Sequence, residues 1–424
     1  MALRPTVQLI GRSLEPADHR LRDFLTRIAQ PYEFLEDGSP EAQRLRTERQ
    51  LADADLPIVV DGAVVHSGAT IASIAAAWDY ADPPRSSRYD VAIIGAGPAG
   101  LAAAVYAASD GLSTLMIEAD VPGGQASHTS LIENFFGFVD GIGGAELARR
   151  AGRQAEGFGA ELVMLRGVVG GSVSDDGRMH LRLGGGYEVS ARAVVAATGM
   201  QWRRLDVDGV SELLDRGVYY GAGRSEASRC GGDDVFVVGA GNSAGQAAMH
   251  LADAGARVTM VVRGERLSTT MSAYLVDRIE RHPLIGVQLR AQVTAVDATR
   301  DHLRGLTITD AGGRSERRPA TALFVCIGGE PCTAWAAGAG VRTNDAGYVV
   351  TGADLLDRGR RPPGWPLPRD PLTLETTVPG LFAAGDLRCG STKRVGEAVG
   401  EGATAIALVH RWLQERSADT GAHG

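Results

Sequence analysis

Cysteine is scarce in this 424-residue chain, and no two cysteines form a C-x-x-C pair. Thiols spread this thinly are typical of reduced core residues, and they exclude a fold held together by disulfides. The nine histidines show neither an H-x-x-x-H spacing nor a Cys/His cluster, so we predict no metal site. The four cysteines are Cys230, Cys326, Cys332 and Cys389.

Positive charge is also in deficit, because 43 basic residues face 51 acidic ones and leave a net charge of −8. A surplus of carboxylates repels nucleic acid and anionic membranes, so we expect neither as a partner. No basic stretch followed by an apolar run opens the chain, and glycines and a proline interrupt the most apolar window, residues 91–108. We therefore expect a cytoplasmic protein. Lysine is almost absent: Lys393 is the single one, which makes it a candidate functional residue.

Glycine, by contrast, is abundant, with 56 residues, and 44% of the chain is hydrophobic. This hydrophobic fraction is enough for large cores and excludes a mainly disordered chain. The glycine excess indicates many tight turns and close backbone approaches, which nucleotide-binding loops require.

The first 84 residues predict a compact unit of order β-α-β followed by β-β-α. This order resembles the thioredoxin/glutaredoxin fold, whose third strand follows a proline that is usually cis, here Pro57. The C-x-x-C of that family is replaced by the thiol-free stretch 13–19, so this unit cannot exchange disulfides. Docking, support of a dimer or regulation are the roles left for it.

Residues 85–88 have the polar composition of a linker. Beyond them, predicted strands and helices alternate to about residue 414, a pattern typical of parallel sheets that bind dinucleotides. The predicted fold class is therefore α/β, with two Rossmann-like domains that follow a thioredoxin-like N-terminal domain.

The first dinucleotide fingerprint is a strand that runs into G-x-G-x-x-G at Gly95, Gly97 and Gly100. The first glycine makes the turn, the second lets a pyrophosphate reach the backbone, and the third lets helix and strand pack closely. Amides at the start of the following helix, which begins at Pro98, bind the anion. The next strand ends at Glu118, whose carboxylate suits the ribose hydroxyls of an adenosine.

The second fingerprint repeats the strand, the helix and the glycines, here Gly239 and Gly241. Its next strand ends not in an acid but at Arg263, with Arg266 three residues on. Arginines here accommodate a 2′-phosphate and favour NADPH over NADH, although Glu265 between them weakens this preference. Two such sites in one chain suggest a bound flavin in one and a nicotinamide donor in the other.

Four further motifs follow one another along the chain: G-G-Q at 123–125, I-E-N-F-F-G-F at 132–138, A-A-T-G at 196–199 and P-G-L-F-A-A-G-D at 379–386. In order and spacing, they resemble the motifs of the thioredoxin-reductase-like flavoproteins. The resemblance extends from residue 89 to about residue 415.

This resemblance implies an FAD domain split into residues 89–205 and 328–416, with an NADPH domain at 206–327 between its parts and a tail at 417–424. It also implies a homodimer. The residues implied for FAD are Gly95, Gly97, Pro98, Ala99, Gly100, Glu118, Gly124, Gln125, Asn134, Thr198, Gly199, Gly385, Asp386, Arg394 and Val395. The residues implied for NADPH are Gly239, Gly241, Asn242, Ser243, Ala244, Arg263 and Arg266.

The chain departs from that family in the NADPH domain, where thioredoxin reductases carry C-A-T-C. Both cysteine positions are lost here, to Gly221 and Arg224. Disulfide reduction needs an attacking thiolate and a resolving thiol beside the flavin, so we predict that the chain is not a thioredoxin reductase. Two alternatives stay open: a substitute pair of Cys326 and Cys332, and a redox-active Cys389.

Lys393, Arg394 and Val395 stand where the R-Q-A of the family approaches the flavin pyrimidine. A cation there would stabilise negative charge on the reduced ring, so we predict Lys393 and Arg394 as catalytic residues, together with Tyr220. The alternative for the two cations is a basic pair on the surface.

A proline- and arginine-rich insertion occupies residues 354–369. Long loops in compact domains are often functional. Two roles are open for this insertion. It is either a lid or acceptor platform anchored by Trp365, or a loop that contacts the N-terminal domain.

The leading interpretation is an FAD-dependent NAD(P)H oxidoreductase. Hydride passes from NADPH to FAD after a rotation of the inserted domain, and electrons then go to oxygen, a quinone, a small metabolite or a protein. The alternatives are a ferredoxin–NADP reductase of the thioredoxin-reductase type, a flavin oxidase of a biosynthetic intermediate, and a non-catalytic sensor of redox state or nucleotide.

Overall fold

A computed structural model describes residues 4–13, 15–174, 176–221, 230–299 and 302–421. For residues 418–421 the description covers the backbone. Within these ranges, no helix combines the length and the apolar character that crossing a membrane requires.

The N-terminal domain is a four-stranded sheet with three helices, in the strand order β2-β1-β3-β4. β1 and β2 are parallel, whereas β3 is antiparallel to both of its neighbours. The Leu56–Pro57 peptide is cis, as predicted. The sequence prediction lacks α2, the second helix. The elements are β1 Val7–Gly11, α1 Pro16–Arg27, β2 Tyr32–Glu36, α2 Pro40–Glu48, β3 Ile58–Asp61, β4 Val64–His66 and α3 Ile71–Ala77.

The first part of the next domain carries the first fingerprint in its first strand, β5, and the helix after it, α4. The elements are β5 Arg88–Ile94, α4 Pro98–Ser109, β6 Thr114–Ile117, α5 Gly144–Gly157, β7 Glu161–Val163, β8 Val168–Val173, β9 Met179–Leu183 and β10 Glu188–Ala196. β7, β6, β5 and β10 are parallel neighbours in that order, and β9 and β8 continue the sheet antiparallel to β10.

The inserted domain carries the second fingerprint on a five-stranded parallel sheet, with a separate three-stranded antiparallel sheet beside it. The elements of this domain, which follow the short strand β11 Met200–Trp202, are β12 Val218–Tyr220, β13 Asp234–Val238, α6 Asn242–Asp253, β14 Arg257–Val262, α7 Ala273–Arg281, β15 Ile285–Leu289, β16 Ala291–Thr299, β17 His302–Asp310, β18 Ser315–Pro319 and β19 Ala322–Val325. The parallel order is β12-β19-β13-β14-β15, and β16-β17-β18 is the antiparallel sheet.

The chain returns to the first sheet through β20 Gly329–Pro331, which pairs with β11 as a short antiparallel ribbon. β21 Leu381–Ala383 then adds to β10 in parallel, and α8 Val395–Gly421 packs on α4. A single sheet is thus built from two separate parts of the chain, residues 88–196 and 381–383. Short 3₁₀ turns occupy Gly124–His128, Leu267–Thr269, Ala337–Ala339 and Gly352–Leu355.

Small residues let α8 and α4 approach each other closely. A Cβ on Gly402 of α8 would collide with the backbone carbonyl of Ala99 in α4, so a larger residue would push the helices apart. α4 is buried on nearly all sides, which fixes its N-terminal turn at the carboxyl edge of β5. The α/β architecture predicted from the sequence is confirmed in its Rossmann-type sheets.

Candidate cofactor site

The first fingerprint forms a turn that tolerates only glycine at two positions. A Cβ on Gly95, whose φ is +103°, would collide with the carbonyl of Ala197, and a Cβ on Gly100 would collide with the carbonyl of Gly95. Around a Cβ placed on Gly97 there is open space to 4 Å, and this residue is the N-cap of α4. The open amide face at a helix N-terminus fits a pyrophosphate.

Glu118 lies at the end of β6 beside this turn. Its carboxylate accepts hydrogen bonds from the backbone N–H of Ala96 at 2.7 Å and of Asp120 at 3.0 Å. Burial raises the pKa of Glu118 above its ordinary value, and these two backbone hydrogen bonds oppose the rise. The side chain is held where the carboxylate can accept ribose hydroxyls.

The A-T-G segment connects the two parts of the split domain. Thr198 donates its hydroxyl proton to the carbonyl oxygen of Cys332 at 2.8 Å, and the indole N–H of Trp335 reaches the same oxygen at 2.9 Å. Gln125 donates from Nε2 to the carbonyl oxygen of Met200 at 2.9 Å. These contacts fix the wall of the site at the crossing into the inserted domain.

The C-terminal motif places Lys393 next to Asp386. The Nζ atom of Lys393 donates to the backbone carbonyl oxygen of Asp386 at 2.6 Å and lies 4.2 Å from the ring centroid of Tyr348. Burial lowers the pKa of Lys393 and raises the pKa of the Asp386 carboxyl, while their mutual attraction opposes both shifts. Lys393 has a φ of +58°, so its backbone adopts the left-handed conformation.

The second fingerprint repeats this construction in the inserted domain. A Cβ on Gly239, whose φ is +142°, would collide with the carbonyl of Cys326, and space is open around Gly241. Asn242 accepts from the backbone N–H of Ser272 at 2.7 Å. Glu265 pairs with Arg290 at 2.7 Å, so the acid that weakens the NADPH preference has a cationic partner.

Both fingerprints open onto one cavity of about 2450 Å³. The predicted residues that line it on the side of the first fingerprint are Gly95, Gly97, Pro98, Ala99, Glu118, Gly124, Gln125, Asn134, Thr198, Gly199, Gly385, Asp386, Lys393, Arg394 and Val395. On the side of the second fingerprint, they are Gly239, Gly241, Asn242, Ser243, Arg263 and Arg266. The arrangement joins a site for one dinucleotide to a site for another.

Three predicted site residues lie outside this lining. Gly100 packs against the turn at Gly95, and Ala244 is buried in the core of the inserted domain. The third is Tyr220, whose hydroxyl accepts a hydrogen bond from the backbone N–H of Leu205 at 2.8 Å. That contact gives Tyr220 a place in the support of the inserted domain instead of at the cavity wall.

Comparisons with known proteins agree with this geometry. Residues 89–402 match the sequence profile of the pyridine nucleotide-disulphide oxidoreductase family. A thioredoxin reductase of Bacillus subtilis (strain 168) is 33% identical over 331 residues, which are 77% of this chain and 95% of that protein. The crystal structure of T. acidophilum thioredoxin reductase has 26% identity and a TM-score of 0.68, over 77% of this chain and 100% of that one. Lactococcus lactis thioredoxin reductase has 27% identity and the same TM-score, over 77% and 99%.

The chain belongs to the pyridine nucleotide-disulphide oxidoreductase family. It is an FAD-dependent NAD(P)H oxidoreductase, and thioredoxin-reductase-type members of the family use FAD and NADPH. The family match begins at residue 89, so the N-terminal domain lies outside it.

The cysteines of this oxidoreductase are all free thiols. Cys326 and Cys332 both line the cavity without forming a disulfide, so no bridge between them exists in this structure. Burial raises the pKa of Cys326 to about 12, and burial also raises the pKa of Cys332. Cys389 accepts a hydrogen bond from Asn344 at 3.4 Å, and the structure does not place it in the cavity lining.

The position of the first lost family cysteine is a wall of the cavity. A Cβ on Gly221 would contact the side chains of Trp202 and His128 at 3.5 and 3.7 Å. The position of the second, Arg224, lies outside the described residues.

Sequence reasoning missed several side chains that line the cavity. His128 stands three residues after the G-G-Q motif, which is a signal that could have found it. Trp335, Tyr348 and Arg27 stand in no recognisable motif, and only the fold brings them to the cavity.

The insertion at 354–369 packs against α8. Arg369 forms ion pairs of 2.6 Å with Glu375 and with Glu415 of α8, and Trp365 donates its indole N–H to the carbonyl of Arg369 at 2.7 Å. Leu367 packs against the core that contains α8. Residues 354–369 are not among the residues that line the cavity, and the contacts of Arg369 and Leu367 brace α8.

Proposed function

We propose that this oxidoreductase takes hydride from NADPH, passes it through FAD, and delivers electrons to an acceptor other than a disulfide of its own chain. The observation that carries this proposal is Gly221 at the wall of the cavity, where the related thioredoxin reductases have a cysteine. Raised pKa values at Cys326 and Cys332 support it, because a protonated thiol is a poor nucleophile at neutral pH. Oxygen, a quinone, a small metabolite and a protein are the acceptor classes to test.

Bound FAD supplies a ring that accepts hydride and releases electrons in a separate half-reaction. Gly95, Gly97 and the start of α4 hold its pyrophosphate, and Glu118 holds its adenosine ribose. Lys393 and Arg394 place positive charge at the end of the cavity assigned to the pyrimidine ring. These assignments are supported by the shared cavity and by the order of the family motifs.

For the nicotinamide donor, we propose NADPH over NADH. Arg263 and Arg266 line the cavity beside the second fingerprint, and both side chains are available to a 2′-phosphate. Pairing of Glu265 with Arg290 at 2.7 Å reduces the repulsion that this acid would exert on the phosphate.

The domain assignment that we propose is residues 89–205 and 328–416 for FAD, 206–327 for NADPH, and a thioredoxin-like domain at 1–84. The topology of the N-terminal sheet supports the thioredoxin-like assignment, and its thiol-free α1 region supports a role other than disulfide exchange. A homodimer in the cytoplasm, with an electron acceptor of unknown identity, completes the proposal.

The test is an anaerobic reductive titration of the purified holoprotein with NADPH, followed by flavin absorbance. A flavin that acts without a dithiol takes up two electrons, whereas a flavin with a redox-active disulfide takes up four. We expect two electrons per FAD, and faster bleaching with NADPH than with NADH.

A double variant, Cys326→Ala with Cys332→Ala, is the matched control for a substitute thiol pair. We expect it to take up the same two electrons and to keep the wild-type rate of bleaching. Uptake of four electrons by the wild type that drops to two in this variant would overturn the proposal in favour of an internal disulfide.

A further inference from the structure

Helix α1 of the N-terminal domain reaches the cofactor cavity with its last turn. The Nη1 atom of Arg27 lies 2.7 Å from a carboxylate oxygen of Asp120, and its Nε atom donates to the hydroxyl of Ser127 at 3.2 Å. The Arg27 side chain is only 12% exposed, and Arg27 is among the residues that line the cavity. A residue of a different domain thus forms part of the wall.

Apolar packing holds this helix in place. Val121, directly after Asp120, is 1% exposed and belongs to the same hydrophobic core as Phe24 and Ile28 of the N-terminal domain. Burial of such apolar side chains stabilises the contact between the helix and this segment. The position of Arg27 is therefore determined by the packing of two domains and not by an isolated surface ion pair.

The two partners of Arg27, Asp120 and Ser127, belong to the segment 118–127, which lies against the turn of the first fingerprint. Asp120 follows Glu118, the acid assigned to the ribose, by two residues. Ser127 donates its hydroxyl proton to the carbonyl oxygen of Gly124 at 2.7 Å, and a Cβ on Gly124 would lie 3.3 Å from the Cα of Gly97. Arg27 thus contacts two points, Asp120 and Ser127, of the segment that carries both Glu118 and the residue opposite Gly97, which is Gly124.

The charge balance of this segment needs a cation. Glu118 and Asp120 are acidic, and a dinucleotide adds the negative charges of its diphosphate. Arg27 also pairs with Asp23 of its own helix at 3.6 Å, so two carboxylates, Asp23 and Asp120, share its single positive charge. Its charge lowers the pKa of Glu118, against the larger effect of burial, and so favours the ionised form that accepts ribose hydroxyls.

We propose that Arg27 is a binding residue for the adenosine diphosphate half of FAD, supplied by the N-terminal domain. This inference rests on the proposed assignment of FAD to the first fingerprint. It gives the thiol-free domain a function in cofactor retention, because the FAD site is incomplete without α1.

The experiment measures the dissociation constant of FAD for the full-length holoprotein by the rise in flavin fluorescence on dilution, with ADP as a competing ligand. Arg27→Gln removes the charge and keeps much of the side-chain length. Loss of a charged hydrogen-bonding group predicts FAD and ADP affinities that are each weaker by about tenfold or more, with a smaller salt dependence. Arg27→Lys, which keeps the charge, restores part of the loss.

Arg20→Gln is the matched control, because Arg20 lies on the same helix and pairs at 3.8 Å with Asp215 of the inserted domain. We expect FAD and ADP affinities within about twofold of wild type for this variant, as for an exposed ion pair. Equal weakening in both variants would overturn the inference, since general domain docking would then explain it.

Wild-type affinity for both ligands in Arg27→Gln would also overturn the inference, and it would leave the proposed function intact. Loss of FAD affinity with unchanged ADP affinity contradicts it too, because the charge would then act elsewhere than at the diphosphate half. A wild-type protein that retains no FAD would overturn the proposed function itself.

Discussion

Lys393 is the residue whose chemistry bears most directly on the reaction that we propose. Its ammonium group already has two partners, the carbonyl of Asp386 and the ring of Tyr348, and both fix its direction at the cavity wall. A positive charge held in a fixed place stabilises developing negative charge more than a mobile one does, because no reorganisation is needed when the charge appears.

Replacement of the Lys393 charge should therefore change the redox potential of the bound flavin and the rate at which it is reduced. We expect Lys393→Met to shift the midpoint potential of bound FAD to more negative values and to slow its reduction by NADPH by about tenfold or more. Lys393→Arg keeps the charge and should stay closer to wild type. Potentiometric dye titration and anaerobic stopped-flow absorbance measure the two effects, and an unchanged potential in Lys393→Met would show that this cation is a surface group.

The thiols give a second prediction at this scale. The pKa of Cys326 is about 12 in the folded protein against an ordinary value of 9.0, because the thiol is buried. A raised pKa stabilises the folded state below pH 9, and this contribution disappears as pH rises from 9 to about 12, since only the unfolded chain ionises there. Cys326→Ala should therefore flatten the loss of stability with pH in that window.

The check is a series of urea midpoints for holoprotein and variant between pH 8 and 10.5. Alkylation at pH 8 adds a second measurement, because Cys326 should react only after the protein is denatured. Rapid alkylation of Cys326 in the folded protein would contradict the burial that the structure shows.

Residue-scale prediction from sequence succeeded where a motif ties chemistry to a fixed spacing. Gly95, Gly97, Glu118 and Lys393 line the cavity, while their roles in cofactor binding stay predictions. Arg27 could not be found this way, because its contact with Asp120 joins positions 93 residues apart and belongs to a different domain. The hydrogen bond from the backbone N–H of Leu205 to the hydroxyl of Tyr220 is likewise a contact that no sequence pattern reveals, and the catalytic role of Tyr220 stays a prediction.

At the scale of elements, the sequence prediction lacks α2 because its apolar positions are few. Only Ala42 and Leu45 are buried in it, which gives little helical periodicity. The capping chemistry was nevertheless present: Ser39 accepts from the backbone N–H of Ala42, and Pro40 occupies the first turn. Capping signals are therefore more informative than hydrophobic periodicity for a short surface helix.

The insertion that braces α8 leads to a stability prediction. Glu375 is fully buried and accepts hydrogen bonds from the backbone N–H groups of Leu372 and Gly380 as well as from Arg369. Arg369→Met removes its counter-charge, and an uncompensated buried carboxylate costs about 3 kcal/mol. We expect a clearly lower urea midpoint for the Arg369→Met holoprotein than for the wild-type holoprotein.

Arg361→Gln is the matched control in the same insertion. Arg361 pairs with Asp370 at 2.8 Å, but both side chains are about half exposed, so the loss should be below about 1 kcal/mol. Equal midpoints for Arg369→Met and Arg361→Gln would show that the insertion does not brace α8.

At the scale of the whole molecule, the two fingerprints face one cavity although they belong to different domains. The ribbon of β11 and β20 connects these domains, and α1 contacts both: Arg27 reaches Asp120 on one side, and His19 lies 3.4 Å from Asp215 on the other. From the sequence, we expect a rotation of the inserted domain before hydride transfer. In this arrangement, the two nucleotide sites are already joined.

This arrangement predicts how flavin reduction responds to solvent viscosity. If hydride transfer takes place within it, the limiting rate of bleaching at saturating NADPH should be unchanged when sucrose raises the viscosity. A rate limited by movement of a whole domain would instead fall in inverse proportion to viscosity, because such motion displaces solvent. Stopped-flow measurements with and without sucrose at constant ionic strength separate the two outcomes. A bleaching rate that falls in inverse proportion to viscosity would mean that a domain rotation must first assemble the joined cavity.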